Sequence, residues 1–153
     1  MEGSPSAGPP AFESSREAVT LLPFDVRLRR VADAAGVPPE DPILSELRGA
    51  RLELGAHDYA AGVPPDLSWS ARRMTRWARA LRPVCESTSF RTRYPVLRDS
   101  MEDFTLAAYG RRATPEDYDA FDAAMAGAED LSEDAAYRAM CIALLSSTEL
   151  VAR

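Results

Sequence analysis

Three groups of residues in this 153-residue chain could do chemistry. The only histidine, His57, could act as a general base in a pocket if a carboxylate oriented its ring. Asp58 is a poor orienter, because neighbours on a helix point about 100° apart, so the partner would have to come from another helix. Cys85 has Arg82 near it, which could favour the thiolate, and a nucleophilic pair would then need His57 within reach. Asp99, Glu102 and Asp103 are spaced i, i+3 and i+4, which puts three carboxylates on one helix face. Such a face could hold Mg²⁺ against a phosphorylated substrate, with Glu116, Asp117, Asp119 and Asp122 supplying ligands from a second helix. His57, Asp99, Glu102 and Asp103 are thus the candidate catalytic set of a small helical enzyme acting on a small organic or phosphorylated substrate.

A second kind of site is suggested by arginine. Between Trp69 and Arg98 the chain carries eight Arg and one acid, Glu86, for a local charge of +7. Between Asp99 and Asp134 it carries eleven acids and two Arg, for −9, and the whole chain sums to −6. Arg72, Arg73, Arg76 and Arg79 form the polar side of one helix, and Trp69 lies one turn before Arg72 and Arg73, where a guanidinium could stack on its ring. Arg91 and Arg93 sit in a polar stretch that could roof a pocket for a small anion. These seven residues are the candidate binding set, because guanidinium groups grip carboxylates and phosphates with two-pronged geometry. The competing structural reading is a solvated helix face neutralised by the acidic helix from Glu116 to Asp122.

What the alphabet lacks excludes several function classes. The chain contains no Lys, Asn or Gln. Schiff-base catalysis, pyridoxal phosphate attachment and a phosphate-loop lysine are therefore ruled out. So is the usual side-chain pairing to adenine. One His and two Cys cannot build the common zinc sites, and no Cys-x-x-Cys spacing occurs. No metal or cofactor is expected. The segment Leu28–Val37 resembles the first helix and turn of a helix-turn-helix regulator. The stretch that would then enter the major groove, Glu40 to Glu46, is acidic and mostly apolar. Together with the net charge, this argues against nucleic acid.

The elements that must position these groups read as helices. Phe24, Leu28, Val31 and Ala35 form one apolar face, ended by Gly36. A second face runs through Ile43, Leu47, Ala50, Leu54, His57 and Ala61, and a third from Leu67 through Met74 and Trp77 to Leu81 and Pro83. Pro95 suits the first turn of a fourth long helix with Leu97, Met101, Phe104 and Ala108, closed by Gly110. Thr114-Pro115-Glu116-Asp117 is a helix start, followed by Tyr118, Phe121 and Met125. Ser132 caps the last helix, whose face of Tyr137, Met140, Cys141, Leu144 and Leu145 is widened by Ala139, Ile142 and Ala143, making it the expected central helix. Cys85 and Cys141 read as reduced thiols.

The fold class expected is all-α: one domain over residues 15–153, a bundle of five or six helices, preceded by a disordered Gly-, Pro- and Ser-rich arm over 1–14. No stretch approaches the ~20 apolar residues of a membrane helix, and Glu2 stands where a signal peptide carries basic residues. A cytoplasmic location and no membrane contact are expected on these grounds. The functional expectation is a binding, accessory or regulatory protein that recognises an acidic protein or a small anionic ligand through its Arg-rich helix. The charge split also permits a homodimer in which basic and acidic faces meet.

Overall fold

Helix boundaries follow the local chemistry at the two ends of the chain more closely than in its middle. The computed structural model describes residues 20–152; the arm expected over 1–14 lies outside them. The helices are α1 (Phe24–Ala35), α2 (Ser45–Gly49), α3 (Ala71–Glu86), α4 (Thr88–Arg93), α5 (Met101–Tyr109), α6 (Pro115–Ala126), α7 (Glu133–Leu145) and α8 (Thr148–Val151). Two short 3₁₀ turns cover Pro42–Leu44 and Tyr59–Ala61. Among the described residues the only β pairing is in isolated bridges, so the chain is all-α with eight helices rather than five or six.

Several ends lie where the sequence puts them. Gly36, at φ 70°, ends α1 in the left-handed conformation that favours glycine. Ser132 Oγ accepts the Ala135 N–H at the start of α7. At the start of α6 the Asp117 carboxylate accepts the Thr114 N–H at 2.7 Å. The middle differs in three places. The periodicity from Ile43 to Ala61 predicts one long helix, but α2 stops at Gly49 and an irregular segment follows to residue 70. Pro83 lies inside α3, where it removes one backbone donor without ending the helix. Residues 95–100 form turns, and the helix expected from Pro95 starts at Met101.

The core is one connected cluster in which α3 lies against α7 and α1 lies against α5. The helix with the most neighbours is α3, which also meets α2, α4 and the first 3₁₀ turn. The expectation that α7 is central fails for a local reason: Ala139 and Ala143, read as widening its buried stripe, are exposed. Trp77, fully buried on α3, donates its indole N–H to the Leu145 carbonyl of α7 at 3.2 Å.

The cysteines are also corrected. Cys85 of α3 and Cys141 of α7 form a disulfide, with Cα atoms 5.8 Å apart. Bonded to each other, neither is a reduced thiol or a nucleophile, and both are fully buried. Sequence separation concealed the pair, because only the face-to-face packing of α3 and α7 brings the two positions to one level. No helix among the described residues is long and apolar enough to cross a membrane.

Arg111 bridges Asp117 at 2.7 Å and Glu149 at 2.5 Å, tying α6 to α8. Tyr109 donates to the Leu144 carbonyl and accepts from Ser147 Oγ, and its burial raises the phenol pKa to about 12.

The disulfide spans a sequence separation of 56 residues. In the chain-entropy description a loop of that size is worth about 4 kcal/mol. Denaturant unfolding of the Cys85→Ser/Cys141→Ser protein should show a loss of that order. A loss under roughly 1 kcal/mol, below the usual range for a cross-link, would mean that packing alone holds α3 to α7.

Candidate functional site

The irregular segment from residue 50 to 70 is held by arginine side chains bound to its carbonyls. Arg27 of α1 is fully buried; it donates from Nε to the Leu22 carbonyl at 2.9 Å and from Nη2 to the Leu54 carbonyl at 2.7 Å. Its guanidinium stacks on Phe24 and Trp77, 5.6 and 5.4 Å from the ring centroids. Burial, with a smaller contribution from Arg73, brings its pKa down to about 10, which leaves it charged at neutral pH. Its Nη1 has no hydrogen-bond partner.

Arg73 of α3 completes the clamp. It donates to the Glu53 carbonyl at 3.3 Å, to the Ser68 carbonyl at 2.7 Å and to the Asp66 carboxylate at 2.8 Å. Between these anchors the chain makes a small hairpin. The Asp66 N–H donates to the Gly55 carbonyl at 3.0 Å, and Asp58 and Val63 exchange two bonds of 2.8 Å. Gly55 has φ 90°, and a Cβ there would collide with the Asp66 carbonyl oxygen, so this position requires glycine.

Where the segment meets α3 there is an open groove of about 430 Å³, lined by Leu52, Glu53, Asp66, Ser68, Ser70, Arg72, Arg73 and Arg76. Arg76 pairs with Glu53 at 3.2 Å. Hydrogen bonds from Arg73, then from Ser68, hold the Asp66 carboxyl well below the usual carboxylate range. Arg72 and Arg79 are exposed and have no hydrogen-bond, ion-pair or ring partner among the described residues. Further along α3, Glu86 is shared between Arg82 at 2.8 Å and Arg138 of α7 at 3.1 Å.

The other expected site residues lie elsewhere. Trp69 is half-buried, but among the described residues no guanidinium stacks on it. The stacked arginines include Arg91 on Tyr137 and Arg93 on Tyr94. Arg91 also pairs with Asp134 at 2.7 Å, and Arg93 donates to the Tyr94 hydroxyl at 2.9 Å. Both belong to α4, a packed helix rather than a loop, and Arg93 lines an open depression with Asp103, Leu106 and Ala107. The acidic helix α6 pairs with Arg98 and Arg111 and not with Arg72 to Arg79.

The candidate catalytic set does not converge. His57 lies off any α-helix, half-buried, with its ring stacked on Tyr59 at 4.2 Å. Asp99 precedes α5, so the helical i, i+3 spacing fails. Glu102 accepts the Ala113 N–H at 2.9 Å, while Asp103 is exposed beside Arg93 in a separate depression. Among the described residues no three His, Cys, Asp or Glu side chains are grouped as a metal site requires.

Two contributors are missing from the sequence reading. Arg27 had a signal: it is a charge between Phe24, Leu28 and Val31 on an apolar helix face. Tyr59, 71% exposed at the hairpin, carried no signal while its segment was read as helix.

The fold and groove together define an all-α protein with an arginine-clamped segment against one helix. Comparison with known proteins finds no matching family model, no matching curated protein and no matching solved structure.

Because the pKa of Asp66 is depressed in the folded state, its pair with Arg73 contributes stability above the ordinary carboxyl range, near pH 4. That contribution is lost as pH falls below it. An NMR titration of the Asp66 carboxyl should place its midpoint well under 4. In Arg73→Met the midpoint should rise toward the ordinary range, with the two Ser68 hydrogen bonds keeping part of the depression; an unchanged midpoint would show that Arg73 is not the main cause.

Proposed function

We propose that the protein acts by binding, and that the outer face of α3 receives an acidic protein or a small anionic ligand. The observation that carries this reading is that Arg72 and Arg79 are exposed and without partners, on a helix in the +7 stretch of a chain whose net charge is −6. The other arginines of that stretch are engaged, which leaves these two as the free forks. An exposed guanidinium keeps its charge at any physiological pH and can grip a carboxylate or phosphate with two parallel bonds. Arg73 and Arg76 lie at the groove floor, where Asp66 and Glu53 hold them in place. The face therefore combines two unpaired cations with two paired ones. A local excess of positive charge also raises the encounter rate of an acidic partner, an effect that falls with ionic strength.

The test uses two probes, inorganic phosphate and a short glutamate-rich peptide, titrated into the full chain and followed through backbone amide shifts. The reading expects shifts along Arg72–Arg79 with at least one probe, weakened by salt. It also expects them to be lost in Arg72→Glu/Arg79→Glu, with the shifts of the core unchanged. No response to either probe, or an equal response in the charge-reversed protein, would overturn it.

A further inference from the structure

We infer that the partner of this face is an acidic protein segment that also carries an aromatic or aliphatic side chain, received by the 55–66 hairpin and Leu52 beside the groove. This deepens the reading of α3 as an anion-binding face and rests on it.

The argument begins with where apolar surface is left uncovered. Eight large hydrophobic side chains are exposed among the described residues, and four of them lie between residues 52 and 74, the same stretch that holds the groove. Leu52, 51% exposed, lines the groove with Arg72, Arg73 and Arg76. Tyr59 and Val63, 71% and 42% exposed, stand on the hairpin whose base, Gly55 and Asp66, is fastened by Arg73. Isolated exposed hydrophobics need no explanation, but Leu52 shares the groove with the unpaired Arg72, and Tyr59 and Val63 stand on the hairpin whose base, at Asp66, lines that same groove; such a mixture matches the composition of protein interfaces. Interface cores are enriched in Tyr and Arg, and these residues dominate interface energetics.

The second observation is rigidity. An exposed tyrosine on a mobile loop would lose conformational freedom on binding. Here the Asp58–Val63 pair, the Gly55–Asp66 bond and the His57 ring stacked on Tyr59 hold the side chain in advance. Association then costs less ordering. The charge fixes the partner's sign: Arg72 and Arg79 suit the carboxylates of a protein segment, while Leu52, Tyr59 and Val63 suit apolar side chains on the same segment. A purely acidic segment would leave the hairpin uncovered, and a purely apolar one would leave the guanidiniums unpaired.

The experiment is selection of random twelve-residue peptides displayed on phage against the immobilised full chain, followed by affinities for the selected peptides. The inference expects selected peptides rich in Asp and Glu with at least one aromatic or aliphatic residue. It further expects a loss of roughly tenfold or more in Leu52→Ser/Tyr59→Ser, the scale of losing an aromatic anchor. Both positions are exposed, so circular dichroism should show the fold retained. Acidic peptides without apolar residues would overturn this inference and leave the α3 reading intact. Selection without acidic enrichment would overturn this inference together with the acidic-protein form of the α3 reading, leaving the phosphate titration to decide the small-anion form. Acidic, apolar peptides that bind Leu52→Ser/Tyr59→Ser as tightly as the native chain would place their site elsewhere and overturn it too. A concentration-dependent dimer that Tyr59→Ser dissolves would assign the surface to a second copy and also overturn it.

Discussion

Backbone carbonyls outside regular structure must find donors, and in this protein arginine supplies them. Between residues 50 and 70 there is no α-helix to satisfy them internally. Arg27 and Arg73 bond the carbonyls of Leu54, Glu53 and Ser68, and Arg51 reaches that of His57. The chain has no Lys, Asn or Gln, so arginine is its only long flexible donor. The same device recurs at Arg30, which reaches the Glu149 carbonyl, and at Arg48, which reaches those of Pro39 and Asp41. Arg27 does this from the interior without a carboxylate partner. Its charge is tolerated because two carbonyls and two aromatic faces take the place of water.

This clamp explains which parts of the fold could be read in the sequence. Where a helix is bounded by its own capping residues, as at Gly36, Thr114 and Ser132, local chemistry suffices. From Ile43 to Ala61 the helical spacing of apolar residues is real, and Leu47, Ala50 and Leu54 are all buried. The spacing misleads because burial there is achieved by turns held from outside, and periodicity cannot register a guanidinium arriving from α1 or α3. The helix starting at Pro95 fails similarly: Leu97 and Met101 are buried, but the chain between them turns.

The candidate site was readable in part. The asymmetry of charge marked α3 correctly as the arginine-bearing helix. It could not say which arginines were spent, since Glu53, 23 residues from Arg76, and Asp66, 7 residues from Arg73, both lie outside α3. The disulfide was unreadable for the same reason, because it depends on the meeting of α3 and α7. Tyr59 became visible only once its segment was no longer a helix. Function inherits this division: composition supplies the sign of the surface, and three-dimensional placement decides which charges and which apolar groups are free.

Arg73 is the group on which the groove and the hairpin both depend, so the most direct measurement is amide hydrogen exchange of the native chain against Arg73→Met. If the guanidinium clamp is what orders the segment, the amides of Asp58, Val63 and Asp66 should lose protection while those of α3 and α7 keep theirs. Unchanged protection at those three amides would contradict the account. It would mean that the segment holds its shape by its own bonds and that Arg73 only rests upon it.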